Sequence, residues 1–443
     1  MSRSGYNHAY ILRISFISAL GGYLFGFDFG VIAGALPFLQ RQFDLNDYWA
    51  GLTTAILALG AIAGCLVAGS ISDKYGRRKG LLLAAAIFGL SSLSMALAHT
   101  RGVFIAARFM AGAGVGMASM LSPMYIAEVA PAHLRGRMVA INQLTIVIGI
   151  LITNVVNYLL RNTGPDAWRW MFGLGVVPSA LFYAGAWWLP ESPRWLVSAG
   201  RTDQAALILE KIGGPNFAAD SLAGITRSTD NRQRPSYSAV FQKAVLPAVL
   251  VGIGLAVFQQ LCGINVVFNY TTLIFRSIGV PQDGQLLQTI FIGAVNLVFT
   301  LLAMLLVDKL GRKPLMLAGA ASLALLYFIV ARMLAAGSTK VSWYLLSAIG
   351  VYAMTLAPVT WVLISEIFPN RIRSAATSLA VVSLWTAYFI LIFTFPILYA
   401  HLKDSTFYIY AGICVLGTGF IALKVKETKG KTLEELGERI IGH

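Results

Sequence analysis

Long stretches without a charged residue alternate with short polar loops along the 443-residue chain. An ionised side chain at the centre of a bilayer costs at least about 2.5 to 3.5 kcal/mol, and a helix needs about 20 apolar residues to cross the hydrocarbon. Two stretches hold one ionisable residue well inside the apolar run, Asp28 in 14–40 and Arg108 in 102–127. Ten further stretches hold none: 48–72, 80–100, 138–160, 170–190, 244–275, 284–307, 314–331, 341–365, 374–402 and 405–423. The pattern predicts an all-α membrane protein with twelve transmembrane helices.

Basic residues gather in the loops that follow the even-numbered stretches, and loops after odd-numbered stretches hold only one or two. The clusters are 74–79, 135–137, 309–313 and 371–373. Because cytoplasmic loops carry an excess of Lys and Arg, the even loops and both termini are predicted to be cytoplasmic. The membrane would be the cell membrane, and the inner membrane if the source is bacterial.

Composition supports this reading and excludes several classes of protein. Apolar residues make up 57% of the chain and charged residues 12%, about half the charged fraction of soluble domains. The net charge of +15 follows from the loop pattern, so no nucleic-acid partner is predicted. The three cysteines are isolated, and the five histidines are scattered without a catalytic or metal-binding motif. No cofactor, metal or enzymatic activity is therefore expected.

An internal repeat divides the chain. Acidic residues recur at Asp73 and Asp308, at Glu128 and Glu366, and at Glu191 and Glu427, with offsets of 235, 238 and 236 residues. Similar offsets predict a duplication of six helices in parallel orientation. The boundaries predicted are a six-helix half (1–190), a cytoplasmic linker with short helices (191–243), a second six-helix half (244–424) and a cytoplasmic tail (425–443).

Charged residues at the cytoplasmic helix ends of both repeats are predicted to form a latch. Carboxylates there can bind Arg side chains and helix N-termini when the cytoplasmic side is closed. The alternative is that these charges only set topology or lie solvated in loops, but a topology signal needs no acidic residue at fixed spacing. The predicted latch residues are Asp73, Arg77, Arg78, Glu128, Arg135, Glu191, Arg194, Asp308, Arg312, Glu366, Arg373 and Glu427.

Seven motifs, in order along nearly the whole chain, resemble the signatures of the sugar porter family of the major facilitator superfamily. The most restrictive are PESPR and QQLCGIN. The others are GSISDKYGRRKG, PMYIAEVAPAHLRGR, VDKLGRKP, WVLISEIFPNRIR and KETKGKTLEEL. The nearest likeness is to bacterial proton-coupled monosaccharide symporters of the D-xylose type. The resemblance implies two pseudo-symmetric six-helix halves and alternating access to a central sugar site.

Asp28 and Arg108 are the candidates for proton coupling. An ionisable residue inside a span is a functional candidate by default, and an Asp–Arg pair would make both tolerable. In the resembled symporters the matching positions are the proton-accepting acid and its partner, whereas facilitators usually have Asn at the position of Asp28. A permanent structural salt bridge is the alternative interpretation.

Buried amides and aromatic residues are the candidates for sugar binding. Amides can bind sugar hydroxyls, and aromatic faces can cover the C–H surfaces of a sugar. A single amide inside the membrane, however, as often stabilises helix packing, and a single aromatic residue more often faces the core or the lipid. The resemblance implies sugar contacts by Phe25, Gln143, Gln259, Gln260, Asn265, Tyr270, Asn296, Trp361 and Trp385.

Three departures from the family pattern bear on the substrate. Leu384 stands where Asn or Gln is common, Tyr388 where many members have Asn, and Asn269 replaces the first Tyr of a usual pair. A smaller sugar, a less hydroxylated one or a different pose is consistent with these changes. The sequence predicts a functional monomer that transports a pentose or hexose with protons. A proton-independent facilitator and a non-transporting sugar sensor are the alternatives.

Overall fold

The computed structural model describes residues 5–230, 240–243, 245–368 and 372–428, without the side chains of 228–230, 306–309, 365–366 and 373–374. Every long element in the described ranges is an α-helix. The helices are α1 (His8–Phe43), α2 (Asp47–Tyr75), α3 (Arg77–Ala96), α4 (Arg101–Val129), α5 (Ala132–Leu160), α6 (Ala167–Gly173), α7 (Val176–Trp187), α8 (Pro193–Ser198), α9 (Thr202–Asp230), α10 (Leu246–Leu261), α11 (Ile264–Ser277), α12 (Gln282–Leu310), α13 (Arg312–Ala335), α14 (Val341–Met354), α15 (Leu356–Ile367), α16 (Arg373–Leu402) and α17 (Thr406–Lys424).

The helices supply twelve membrane-crossing segments, as the apolar pattern predicts. Within the described ranges, 11 helical runs are long and apolar enough to cross a bilayer, and the last of them, Ala375–Lys424, has 50 residues and contains both α16 and α17. Three crossings are each built from two helices: α6 with α7, α10 with α11, and α14 with α15. Large apolar side chains such as Leu423 and Trp188 lie exposed on the helices, which suits a surface covered by lipid.

The chain forms two compact units whose boundaries cut through individual helices. Unit 1 contains 1–28, 59–153 and 166–234, and unit 2 contains 29–58, 154–165 and 235–443. Helices α1, α2 and α5 therefore each contribute residues to both units. In α1 the division falls directly after Asp28.

Unit 1 depends on close helix packing at glycine. Here α3 packs against α4 and α7, and α1 approaches α5. A Cβ atom on Gly26 would lie 2.0 Å from the carbonyl oxygen of Ile146, so only glycine permits this approach. Gly22 and Gly26, four residues apart on α1, are the sequence feature that allows it.

In unit 2, α10 packs against α16, and α13 packs against α17. The crossing made by α10 and α11 is interrupted at Cys262 and Gly263, where Gly263 has a left-handed backbone with φ of 89°. That conformation is strained for residues other than glycine. The break brings polar residues at the end of α10 close to those at the start of α11. Interrupted helices are a recurrent device for building binding sites at membrane depth.

Candidate functional site

Asp28 on α1 and Arg108 on α4 form a buried ion pair inside unit 1. The guanidinium donates two hydrogen bonds of 3.1 Å, from Nη1 to Oδ1 and from Nη2 to Oδ2. Both side chains are only 1% exposed. The Arg108 guanidinium also lies 5.8 Å from the ring centroid of Phe172. The structure thus brings together the two ionisable residues that the apolar pattern singles out.

The geometry of this pair means that a change in the charge of Asp28 would alter its contact with Arg108. A bidentate carboxylate–guanidinium contact is strong, and removal of one partner from a buried pair costs about 3 to 5 kcal/mol. Protonation of the Asp28 carboxyl would remove the negative charge and convert one acceptor oxygen into a donor. The pair can therefore respond to a proton, and it joins α1 to α4 through two residues that lie 80 positions apart in the sequence.

Four amides of unit 2 form a continuous hydrogen-bonded chain across the α10–α11 break. Gln260 Nε2 donates to Gln259 Oε1 at 2.9 Å, and Asn265 Nδ2 donates to Gln260 Oε1 at 2.5 Å. Asn269 Nδ2 continues the chain by donating to the backbone carbonyl of Asn265 at 2.7 Å. All four residues are buried. We call this set, Gln259, Gln260, Asn265 and Asn269, the amide chain.

The amide chain still has hydrogen-bonding capacity. A carboxamide offers two N–H donors and two acceptor lone pairs. Among the described residues, the Gln259 amide nitrogen and the Asn265 side-chain oxygen make no further hydrogen bond. The same holds for the side-chain amide of Asn296 on α12, which is 6% exposed. These groups can accept and donate bonds to a polyhydroxylated ligand.

The aromatic candidates of unit 2 differ in their surroundings. Tyr270 is buried, donates its hydroxyl proton to the carbonyl of Ile392 at 2.7 Å, and packs on Phe395. Trp385 on α16 is also buried and lies edge-on to Tyr388, with ring centroids 5.7 Å apart. Trp361 on α15 is the least enclosed, with 43% of its surface exposed.

The two remaining sugar-binding candidates lie in unit 1. Phe25 on α1 and Gln143 on α5 are partly buried. Phe25 is one turn of helix before Asp28, on the same helix.

Charged residues at the ends of α2 and α4 form a network with Arg77 and Arg78 at the start of α3 in unit 1. Arg77 donates to both Glu128 oxygens at 3.1 Å and to Asp73 Oδ1 at 3.0 Å. Ser192 donates its hydroxyl proton to Glu128. Arg78 donates to the carbonyl of Trp187 and lies over its ring. Glu128 therefore pairs with Arg77, 51 residues away, rather than with the nearby Arg135.

Glu191 and Glu427 make the same contact in the two units, as the repeat predicts. The Glu191 carboxylate accepts from the backbone N–H groups of Arg77 and Arg78 at the start of α3. Glu427 accepts from Arg312 and Lys313 at the start of α13, both at 3.0 Å. A carboxylate is favoured at a helix N-terminus by the unpaired N–H groups and by the helix dipole.

The local backbone and burial explain how Glu191 is held. Gly76 precedes α3 with φ of 99°, and a Cβ atom there would lie 2.1 Å from Glu191 Oε2, so glycine is required on both counts. Burial raises the pKa of the Glu191 carboxyl above its ordinary value, and the N–H donors of Ser192, Arg78 and Arg77 oppose that increase.

The other predicted latch residues divide into two groups. Arg135 and Arg194 line a cavity of about 240 Å³ together with Met124, Ala127 and Glu128. The side chains of Asp308, Glu366 and Arg373 lie outside the described residues.

Comparison with known proteins identifies the family. The model of the family described as sugar (and other) transporter matches residues 14–439. The chain belongs to this sugar transporter family. Among the curated relatives, the D-xylose-proton symporter of Escherichia coli K12 is 38% identical over 473 residues, covering 97% of this chain and 96% of its own length. The glucose transport protein of Synechocystis sp. PCC 6803 is 39% identical over 463 residues, covering 98% of each.

Solved structures give the same fold. The inward open conformation of the xylose transporter XylE from E. coli superposes with a TM-score of 0.86 at 37% identity, covering 96% of this chain and 99% of that one. The resemblance expected from the motifs is confirmed, and so is the twelve-helix major facilitator fold of this sugar transporter.

Several polar contacts of this sugar transporter were not predicted from its sequence. In unit 2, Asn154 Nδ2 donates to the carbonyl of Thr289 at 2.7 Å, and Asn157 Nδ2 donates to the carbonyl of Gly30 at 2.9 Å. Arg161 forms an ion pair of 2.7 Å with Asp283. Amides inside the fifth apolar stretch were the available signal, but nothing in the sequence indicates which backbone carbonyls they reach.

Proposed function

We propose that this sugar transporter carries a monosaccharide across the cell membrane together with protons, by alternating access. The observation that carries the proposal is the buried, bidentate Asp28–Arg108 pair. A facilitator needs no titratable pair in the membrane, and such a pair is expensive to bury without a function. Relatives named D-xylose-proton symporter and arabinose-proton symporter support the proposal.

Asp28 is proposed to be the proton acceptor and Arg108 the partner that holds its carboxylate ionised between cycles. Protonation weakens the contact with Arg108, and release of the proton restores it. Helix α1 passes from unit 1 to unit 2 directly after Asp28, so a change in this contact acts on a helix that both units share. This position is a reason to expect proton binding and conformational change to be coupled.

The amide chain and Asn296 are proposed to bind the sugar hydroxyls, with Trp385, Tyr270 and Trp361 supplying apolar surface. Gln143 and Phe25 are also proposed to contact the sugar, because they match sugar-contacting positions in the resembled transporters. Sugar sites combine a few placed polar groups with aromatic surface, and the unused amide groups of Gln259, Asn265 and Asn296 meet the first requirement.

The test of this proposal is uphill uptake by purified protein. Proteoliposomes with an inward-directed proton gradient should accumulate labelled D-xylose above the external concentration and make the outer medium more alkaline. Equilibration of the sugar without accumulation would instead identify a facilitator, and no sugar-dependent flux would reject transport of this substrate class.

We further propose that the protein functions as a monomer and that both termini and the 191–243 linker face the cytoplasm. The proposed orientation rests on the cationic loops after the even-numbered stretches, since cytoplasmic loops carry an excess of Lys and Arg. We expect a cysteine replacing the exposed Ala219 of α9 to react with an impermeant maleimide only in inside-out vesicles. A cysteine replacing the exposed Asn162, after α5, should react only in right-side-out vesicles. Both variants need a background in which Cys65, Cys262 and Cys414 are replaced. Labelling of both cysteines from one side would contradict this orientation.

The charge network of unit 1 and the Glu427 contact of unit 2 are proposed to act as the latch that stabilises the state closed on the cytoplasmic side. Glu128→Gln removes the charge that holds Arg77, so we expect the transport rate to fall about tenfold with a smaller change in sugar binding. Glu427→Gln should have the same effect in the second repeat. Glu210→Gln, at an exposed position of α9, is the control.

Transport rate, equilibrium sugar binding and the reactivity of a cysteine replacing Met124, which lines the cavity beside Glu128, should be measured on the same variants. We expect that cysteine to become more reactive as the open population rises. Slow transport with unchanged reactivity would assign the network to folding or coupling instead of the latch.

A further inference from the structure

Tyr388 on α16 is a buried aromatic residue for which the proposed mechanism has no role. Its side chain is among the largest fully buried ones, and the residue is 2% exposed. Its hydroxyl donates to Asn269 Oδ1 at 3.3 Å. Its ring lies 5.4 Å from that of Phe29 and 5.7 Å from that of Trp385, measured between centroids.

These contacts fix the ring from several directions. Phe29 belongs to α1, Asn269 to α11, and Trp385 lies one turn earlier on α16. An aromatic side chain has two rotatable torsions, and here the ring contacts two other aromatic rings and the hydroxyl donates a hydrogen bond. Tyr388 therefore cannot turn aside without losing a hydrogen bond and two ring contacts, so it acts as a rigid wall.

Tyr388 also adjoins the proposed sugar site. Its hydrogen-bond partner Asn269 is the last member of the amide chain, and its neighbour Trp385 is a proposed sugar contact. The two positions depart from the family pattern in opposite senses, since an aromatic residue is lost at Asn269 and one is gained at Tyr388. The hydrogen bond between them places both departures at one contact between α11 and α16.

We propose that Tyr388, held in place by Asn269, is the residue that sets sugar size, and that it restricts the substrate to pentopyranoses. This inference rests on the proposed sugar-binding function. D-xylose and D-glucose in their pyranose forms share the same ring hydroxyls and differ only by the exocyclic hydroxymethyl group. Amides that bind the shared hydroxyls would recognise both, so discrimination must come from the space available for that group. A Tyr ring leaves less space for the hydroxymethyl group than an Asn side chain does.

The test compares D-xylose with D-glucose as competitors of labelled D-xylose binding. Wild-type protein should prefer D-xylose by about tenfold or more, the discrimination expected when a pocket must reject one additional small group. Tyr388→Asn should bring the two affinities to within about threefold by strengthening D-glucose binding, with D-xylose affinity retained. Tyr388→Leu, which suits the apolar surroundings better, should act in the same direction and guards against a folding defect of the Asn variant.

Two variants serve as controls. Tyr388→Phe keeps the ring and should keep most of the preference for D-xylose. Tyr399→Asn removes a buried tyrosine elsewhere on α16, one bonded to Ser277, and should leave the preference unchanged.

The failure of this inference differs from the failure of the proposed function. If Tyr388→Asn and Tyr388→Leu bind D-xylose but keep the wild-type ratio, Tyr388 does not set sugar size, while sugar binding still stands. A wild-type protein that binds both sugars equally well would overturn the inference in the same way. A wild-type protein that binds neither would reject both the inference and the proposed function.

Discussion

Asp28→Asn is expected to abolish accumulation of sugar against its gradient while leaving exchange of sugar down its gradient. Asn keeps the size and one acceptor oxygen of Asp but cannot be ionised or carry a proton. Movement of one charge through 100 mV is worth about 2.3 kcal/mol, which corresponds to an accumulation of roughly 40-fold at about 1.4 kcal/mol per tenfold. The accumulation ratio under a proton gradient should therefore fall from this order to about 1, measured in proteoliposomes.

A matched neutralisation separates this role from general effects of charge. Asp166 also pairs with an arginine in unit 1, Arg169, but its side chain is 61% exposed. Asp166→Asn should leave accumulation intact, because an exposed pair contributes only about 0 to 1 kcal/mol. Accumulation by the Asp28→Asn protein would contradict the proton role.

The Asn variant leaves the Arg108 charge buried without its carboxylate partner, which costs stability. The double variant Asp28→Asn, Arg108→Gln removes both charges and should recover stability without recovering accumulation. Sugar exchange by either variant shows that the protein is folded. A double variant that regains accumulation would mean that the pair is structural.

Asn265→Ala is expected to weaken sugar binding roughly five- to hundredfold, the effect of losing about 1 to 3 kcal/mol of hydrogen bonding. Asn265 holds the middle of the amide chain, since its side chain binds Gln260 across the helix break and its carbonyl accepts from Asn269. Alanine removes both the proposed sugar contact and the hydrogen bond to Gln260. Gln143→Ala, Gln260→Ala and Asn296→Ala should each lower affinity in the same range, measured by equilibrium binding of labelled D-xylose.

Gln285→Ala is the matched control for the amide substitutions. Gln285 is a buried amide of unit 2 on α12 that donates to the backbone carbonyl of Val280, outside the amide chain. Its loss should leave sugar affinity within about twofold of wild type. Unchanged affinity in all four site variants would refute the proposed placement of the sugar.

The sequence by itself determined the number of membrane crossings, the internal repeat and the identity of the ionisable residues inside the membrane. The length of an apolar stretch and the presence of a charge inside it can be read from local composition. Twelve helices can therefore be counted, and Asp28 and Arg108 recognised, before any contact is known. The equivalence of Glu191 and Glu427 follows from the offset between repeats, and in the structure each binds the start of a helix.

Which groups meet was decided only by the tertiary structure. The sequence places Glu128 among the latch residues without indicating its partner, and in the structure it pairs with Arg77, because the N-terminal end of α3 packs beside the end of α4. Gln259 and Gln260 are neighbours on α10 and share a hydrogen bond, and the break at Gly263 brings Asn265 of α11 within reach of Gln260. Tyr388 and Asn269 are 119 residues apart and become one contact through the packing of α11 against α16. Such pairings depend on which helix faces pack together, and local composition does not indicate this.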